Sequence, residues 1–192
     1  MLQARLRSLL GTPFGIFLRL TAPFNRAWLR IVAHNAHLTE LRGFQVLVHE
    51  SQTPDEANRH LLEVRLKAAL DVLATHAPRH FSWLLTGYHQ IFVARLRSGS
   101  LVQTIDDLRL LRLSPRLVWG SSSEELGVRL AAIAAFSRLR RAYKGHRKEA
   151  SLEMTRRSFQ ESLWLSKRLG LDGEFQRKLE TRIHELSALA DA

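Results

Sequence analysis

The side chains best suited to chemistry in this sequence are basic ones that follow its most apolar stretch. Positions 138–148 hold six lysines and arginines and no acid, with Tyr143 in their midst. Cationic groups bind phosphates, and an aromatic ring offers a surface on which a base can stack. This pattern predicts an anion-binding site. A solvated or internally paired surface is the alternative, because arginines at a helix C-terminus also complement the helix dipole. This basic cluster consists of Arg138, Arg140, Arg141, Lys144, Arg147 and Lys148.

Groups that could act as nucleophile, general base or metal ligand are sparse. The chain has no cysteine, which excludes disulfides, thiolate zinc sites and cysteine nucleophiles. Two histidine pairs, His34 with His37 and His76 with His80, have no carboxylate at helical spacing except Glu40 beside His37, so surface or capping roles are favoured over a metal site. The acids at 106–107 are better explained by a turn with local capping. The sequence has neither a glycine-rich phosphate loop nor a Gly-x-Ser-x-Gly elbow, so we predict no catalytic residue, no metal, no cofactor and no small-molecule substrate.

The element that must position the basic cluster is the helix before it. Ser122 or Ser123 can cap its start, and Glu124 and Glu125 then lie in the first turn, where the helix dipole favours negative charge. No charge interrupts the helix over 130–136. A helix that is apolar on every side is normally buried, so we predict that this one runs through the middle of the domain.

The rest of the pattern predicts an α+β fold, with a small early sheet and mostly helices afterwards. Strands are predicted at 43–49 and 90–96, with a short edge strand at 114–119. A capping box of Thr53 with Glu56, and Pro54 at the first helical position, predicts a helix that ends near His76. Further helices are predicted at 78–85, at 149–169 before Gly170, and from an Asp172 cap to Leu189. In the 149–169 helix, the residues predicted to face inward are Leu152, Phe159, Leu163 and Trp164.

Residues 1–42 form a basic amphipathic segment ahead of a single domain at 43–192. The segment holds six arginines and one acid, within a chain of net charge +11. Arginines opposite aromatic residues are typical of a helix that lies on an anionic membrane. An arm packed on the domain and a transit segment are the alternatives. The candidate membrane-facing residues are Phe17, Arg19, Phe24, Arg26, Trp28 and Arg30.

The expected location is the cytoplasm, with attachment to the inner membrane face. The sequence has no run of 18 uncharged apolar residues and no clear secretory signal, so neither a membrane-spanning helix nor export is predicted. Absence of cysteine fits a reducing compartment. The exposed apolar face predicted for a helix over 24–35 could equally contact a protein partner or a second copy of the chain.

The order of elements, with Ala-Pro-Arg-His-Phe at 77–81 and Ser-Glu-Glu-Leu-Gly-Val-Arg-Leu at 123–130, resembles small bacterial zincin-like putative metallopeptidases over about residues 43–170. The resemblance implies that the central helix should carry His-Glu-x-x-His. Ala132 and Phe136 stand where the zinc-binding histidines would be, and Ile133 where the glutamate base would be. Glu149 or Glu153 would match a third ligand. We call Ala132, Ile133 and Phe136 the vestigial motif positions. Their side chains can neither bind a metal nor accept a proton, which predicts a non-catalytic, metal-free relative that acts by binding.

Two functional hypotheses follow. The first is a peripheral protein held at an anionic lipid surface by residues 1–42. The second is a basic helical protein that binds nucleic acid through the basic cluster.

Overall fold

The computed structural model describes residues 36–49, 55–96, 100–105, 108–142 and 148–190. Within these ranges the chain forms five strands in one sheet and six helices. The predicted α+β class is confirmed.

The sheet is mixed, with strand order β1-β2-β3-β5-β4. Its central strands β2, β3 and β5 are parallel, and each edge strand pairs antiparallel with its neighbour. The strand predicted at 43–49 is confirmed, whereas the strand predicted at 90–96 ends at Val93. The strands are β1 Ala36–Leu41, β2 Phe44–His49, β3 Gln90–Val93, β4 Val102–Ile105 and β5 Leu110–Leu113.

A two-residue turn joins β1 to β2. Arg42 (φ 52°) and Gly43 (φ 84°) both adopt left-handed backbone conformations, as the tightest hairpin turns require. Ala36–Leu41, which the sequence places in the basic N-terminal segment, therefore belongs to the sheet.

The second layer is helical. The predicted edge strand at 114–119 is wrong, because Pro115 instead begins a short helix; proline's fixed φ and missing N–H suit the first helical turn. The helices are α1 Glu56–His76, α2 Pro78–Gly87, α3 Pro115–Trp119, α4 Ser123–Ala142, α5 Lys148–Arg168 and α6 Gly173–Ala190.

The N-terminal caps fix where α1 and α4 begin. Asp55, not Thr53, is the N-cap of α1, and its carboxylate accepts from the Asn58 N–H at 2.7 Å; Thr53 lies outside the described residues. At α4 the Ser122 hydroxyl accepts from the Glu125 N–H, and the Glu125 carboxylate accepts from the Ser122 N–H. This reciprocal pair is a capping box, and it places the predicted serine cap at Ser122.

The junction between α5 and α6 follows the sequence prediction. Gly170 (φ 64°) ends α5 in the left-handed conformation, and the Leu171 N–H bonds to the Ser166 carbonyl at 3.1 Å. The Asp172 carboxylate then accepts from the Phe175 N–H at 2.7 Å. Both signals were readable because capping depends on residues within one turn.

The central helix α4 packs against α1, α2 and α5. Leu130, Ala131 and Ala134 are fully buried, so one side of the helix lies in the core, but the prediction that it is buried on every side is wrong. Ile133 and Phe136 are half-buried, so one side of α4 reaches the surface of the domain. None of the described helices has both the length and the apolar character needed to cross a membrane.

Candidate functional site

The three positions that the resemblance matches to the zincin motif do not form a polar site. Ala132, Ile133 and Phe136 are half-buried on α4, and Ile133 packs against the main core. Nowhere in the described ranges do three or more histidine, aspartate or glutamate side chains converge as a metal site would require. That the protein works without metal stays a prediction.

Glu153, one of the two residues suggested as a third ligand, is engaged in ion pairs. The Glu153 carboxylate pairs with Arg156 at 2.7 Å and with Arg157 at 2.6 Å. The Arg157 guanidinium, followed by Arg156, holds the pKa of Glu153 below its usual value. The side chain of Glu149 lies outside the described residues.

A cleft of about 880 Å³ opens where the end of α1 and the start of α2 face α4 and α5. We call it the arginine–tryptophan cleft, after the residue types that dominate its lining. The lining residues that carry its chemistry are His80, Trp83, Arg138, Glu161, Trp164 and Arg168.

Each tryptophan in the cleft has a guanidinium over its ring. The Cζ of Arg138 lies 4.3 Å from the Trp83 ring centroid, and that of Arg79 lies 5.7 Å from the same centroid. The Cζ of Arg168 lies 5.5 Å from the centroid of Trp164. Guanidinium groups within about 6 Å of a ring are held by cation–π attraction, so the cations are positioned beside the rings. Arg79, Arg138 and Arg168 are nevertheless exposed to solvent.

His80 connects the two tryptophans. Its ring meets Trp83 edge-on at a centroid distance of 4.8 Å and stacks with Trp164 at 6.4 Å. His80 is 5% exposed, whereas Trp164 is 49% exposed. The cleft therefore has a buried aromatic floor and one ring that still presents surface to solvent.

The acidic group in the cleft is paired with this histidine. Nε2 of His80 lies 3.2 Å from Oε2 of Glu161, without the alignment of a hydrogen bond. Burial lowers the pKa of His80, and the nearby Arg79 lowers it further, while Glu161 opposes both effects. Because burial dominates, the folded protein favours the neutral imidazole.

This shift predicts a loss of stability on mild acidification. As the pH drops below the unfolded-state pKa of 6.5, the unfolded chain takes up the proton more readily than the folded chain does. The free energy of unfolding therefore decreases as the pH decreases, until the pH is below the folded-state pKa. Melting temperatures measured between about pH 7 and pH 5 should fall in the wild type and fall less in His80→Gln. Parallel curves for the two proteins would contradict the assignment. Carboxylates with lowered pKa values, such as Glu153, lose their contribution only in a more acidic range.

The structure separates the members of the basic cluster. Arg138 lines the cleft, whereas Arg141 turns to the C-terminal end of α2, where its Nη1 lies 3.4 Å from the Thr86 carbonyl oxygen. This contact complements the dipole of α2, so Arg141 has a structural role. Arg140 is exposed. Lys144 and Arg147, and the side chain of Lys148, lie outside the described residues.

The candidate membrane-facing residues also lie outside the described residues. These are Phe17, Arg19, Phe24, Arg26, Trp28 and Arg30. His34 lies there too, and the described member of that pair, His37, has Nε2 3.7 Å from Oε1 of Glu63 on α1. His76 and His80, the other histidine pair, both line the cleft.

No protein-family model, curated protein or solved structure matches this chain. The resemblance to zincin-like putative metallopeptidases therefore stays a prediction from the motif positions.

Sequence reasoning missed the two tryptophans of the cleft. It placed Trp164 on the inward face of its helix, which is wrong, because half of the side chain is exposed. A local signal was available: Arg79 with Trp83, and Trp164 with Arg168, are spaced i,i+4, the spacing at which side chains on a helix meet.

Proposed function

We propose that this protein acts by binding, without catalysis, and that its ligand is single-stranded nucleic acid held in the arginine–tryptophan cleft. The observation that carries the proposal is the position of Arg138, a member of the basic cluster, over Trp83 in a cleft that also contains Trp164 and Arg168. Such a cleft supplies the two features that single-stranded nucleic acid needs, namely cations for phosphates and rings for bases.

The charges of the cleft favour an anion. Arg79, Arg138 and Arg168 contribute three guanidinium groups, and Arg157 beside them is already paired with Glu153. Among the described lining residues Glu161 is the one carboxylate, and His80 contacts it. A phosphate near Arg138 would therefore meet a net positive surface. Trp164 would add sequence-tolerant stacking, since every base has a flat face.

The binding role agrees with the predicted loss of zincin chemistry. The apolar side chains at Ala132, Ile133 and Phe136 supply neither a metal ligand nor a base. We also propose that the chain is a non-catalytic relative of the zincin-like proteins. Attachment to anionic lipid through residues 1–42 is the competing proposal, and its support is the sequence pattern of that segment.

The decisive experiment compares two arginine reversals in the full chain. Fluorescence anisotropy measures binding of a labelled single-stranded RNA of about 12 nucleotides, within the range of known site sizes. Arg138→Glu should weaken binding about tenfold or more, because it places a negative charge inside the proposed site. Arg116→Glu is the matched control, since Arg116 is exposed and lies outside the cleft lining. Both variants lower the net charge from +11 to +9.

Three outcomes would count against the proposal. Absence of RNA binding at low salt would remove it. Equal weakening by both variants would indicate a general charge effect without a site. Co-sedimentation with anionic liposomes that RNA does not compete away would favour the lipid partner. Circular dichroism of both variants checks that each one folds.

A further inference from the structure

The arginine–tryptophan cleft contains an acidic side chain that phosphate binding does not explain. Glu161 lies on α5, in a described lining that is otherwise neutral or basic, and 45% of its side chain is exposed. A carboxylate repels the phosphates that the arginines of the cleft attract. In a bound nucleotide it is therefore expected to face a part that carries hydrogen-bond donors, which means a base edge or a ribose hydroxyl.

The Glu161 carboxylate keeps its capacity to accept hydrogen bonds. Arg157, one turn earlier on α5, pairs instead with Glu153 at 2.6 Å. Within the described ranges Glu161 contacts His80, whose Nε2 lies 3.2 Å from Oε2 without the alignment of a hydrogen bond. An ionised carboxylate accepts through both of its oxygens, so Glu161 can receive two adjacent donors from a ligand.

The buried imidazole of His80 points to a ligand at the same place. Its side chain is 6% exposed, and its Nε2 has no hydrogen-bond partner among the described residues. Leaving a buried polar atom unpaired costs free energy. A ligand edge that meets Glu161 would also reach this atom and could remove that cost.

The Trp164 ring sets how a base would meet the carboxylate. It lies three residues after Glu161 on α5, the spacing at which side chains on a helix are neighbours. His80 stacks with this ring at a centroid distance of 6.4 Å and also contacts Glu161, so ring and carboxylate share one partner. A base that stacks on Trp164 therefore turns its hydrogen-bonding edge towards Glu161.

We propose that Glu161 recognises guanine and makes it the preferred base of the cleft, an inference that rests on the proposed function. The Watson–Crick edge of guanine carries adjacent donors, N1–H and the N2 amino group, which match the two oxygens of a carboxylate. Adenine and cytosine place a ring-nitrogen acceptor beside their amino group, and uracil places carbonyls on both sides of its N–H. Each of those edges brings an acceptor against the carboxylate. Glu161 thus determines specificity, while the arginines hold phosphates.

Fluorescence anisotropy with probes that differ in one base tests the proposal on the full chain. The probes are labelled oligouridines of about 12 nucleotides, with guanosine, inosine, adenosine, cytidine or uridine at the centre. The guanosine probe should bind about tenfold more tightly than the uridine probe, as expected for one bidentate contact. Inosine lacks the N2 amino group and should lose much of this gain. Because that change lies in the ligand, misfolding cannot cause it.

Glu161→Gln should abolish the difference between guanosine and inosine, because its amide presents a donor to the N2 amino group. Glu180→Gln is the matched control and should keep the difference. The Glu180 side chain is 47% exposed, pairs with Lys167 and lies outside the cleft lining. Both variants remove one negative charge.

Equal affinity for all probes, with binding still weakened by Arg138→Glu, would overturn the guanine preference and leave the proposed function standing. Preference for another base, or a guanosine preference that survives in Glu161→Gln, would overturn it too. A penalty for 2′-deoxy probes that is the same for every base and disappears in Glu161→Gln would assign Glu161 to the ribose hydroxyl, against the proposal. Absence of binding for every probe at low salt would remove both proposals.

Discussion

Replacing Leu62 with alanine is expected to lower the free energy of unfolding by about 2–5 kcal/mol, whereas the same replacement at the adjacent Leu61 should change it by less than about 0.5 kcal/mol. Leu62 is fully buried and belongs to the main core, while Leu61 is 47% exposed. At Leu62 the shorter side chain loses its transfer free energy and leaves a cavity. At Leu61 solvent fills the space that is vacated.

Urea titration of the two variants measures the difference directly, and thermal melts should show Leu62→Ala about 5–15 °C below the wild type. Both variants replace leucine with alanine in the same helix, so the change in helix propensity is nearly the same and cancels in the comparison. Equal destabilisation would mean that α1 presents a different face to the sheet, and it would undermine the packing described for this layer.

The same pair shows how far the sequence determines the fold. The helix at 56–76 is readable because its apolar residues recur at helical spacing and it stops just before Pro78. Its apolar residues include Leu61, Leu62 and Val64, which one face cannot hold together. Packing against the sheet and α4 decides which are buried, and it leaves Val64 47% exposed. That choice depends on partners far away in the sequence.

Helix α5 illustrates a different limit. Large apolar side chains were predicted to face inward, yet Ser158, Ser162 and Ser166 are among the most buried residues of the helix. Their hydroxyls donate to carbonyls three or four residues earlier on the same helix, so burial leaves no hydroxyl unsatisfied. Small side chains let neighbouring helices approach closely. Serine thus acts here as a packing residue, which a hydrophobicity pattern does not register.

The strands show where local signals are too weak. Helix ends such as Ser122 and Asp172 are predictable because the donor and the cap lie within one turn. By contrast, β4 and β5 have four residues each, too few to establish an alternating pattern. β5 becomes a central strand only by pairing with β3, and this pairing is non-local.

Predicting the cleft would have needed both local sequence signals and knowledge of non-local packing. The basic character of Arg138 was visible in the sequence, and so was its place at the end of an apolar helix. Its neighbour Trp83 lies 55 positions earlier on α2 and Trp164 lies on α5, so Arg138 and the two rings meet only because these helices pack together. Charge could be predicted, whereas the pairing of charge with aromatic rings could not.

Under the nucleic-acid proposal, Trp164→Ala should weaken binding of the RNA oligonucleotide by about tenfold to a hundredfold, since stacking contributes about 1–3 kcal/mol per base. Trp164 suits this test better than Trp83. It is 49% exposed, so its removal should cost little stability, whereas Trp83 packs against the main core and His80. Trp164→Phe keeps a stacking surface and should retain most of the affinity. Leu189→Ala, at a position 59% exposed on α6, is the matched control for loss of a surface apolar side chain.

Salt dependence then separates stacking from charge. Tryptophan neutralises no phosphate, so Trp164→Ala should lower the affinity at every salt concentration and leave the slope of log K against log[salt] unchanged. Arg138→Ala should instead reduce the magnitude of that slope by about 1, as expected for one lost phosphate contact. If Trp164→Ala binds as tightly as the wild type while Arg138→Ala lowers the slope, the cleft attracts RNA by charge alone. Stacking on Trp164 would then be excluded as part of the site.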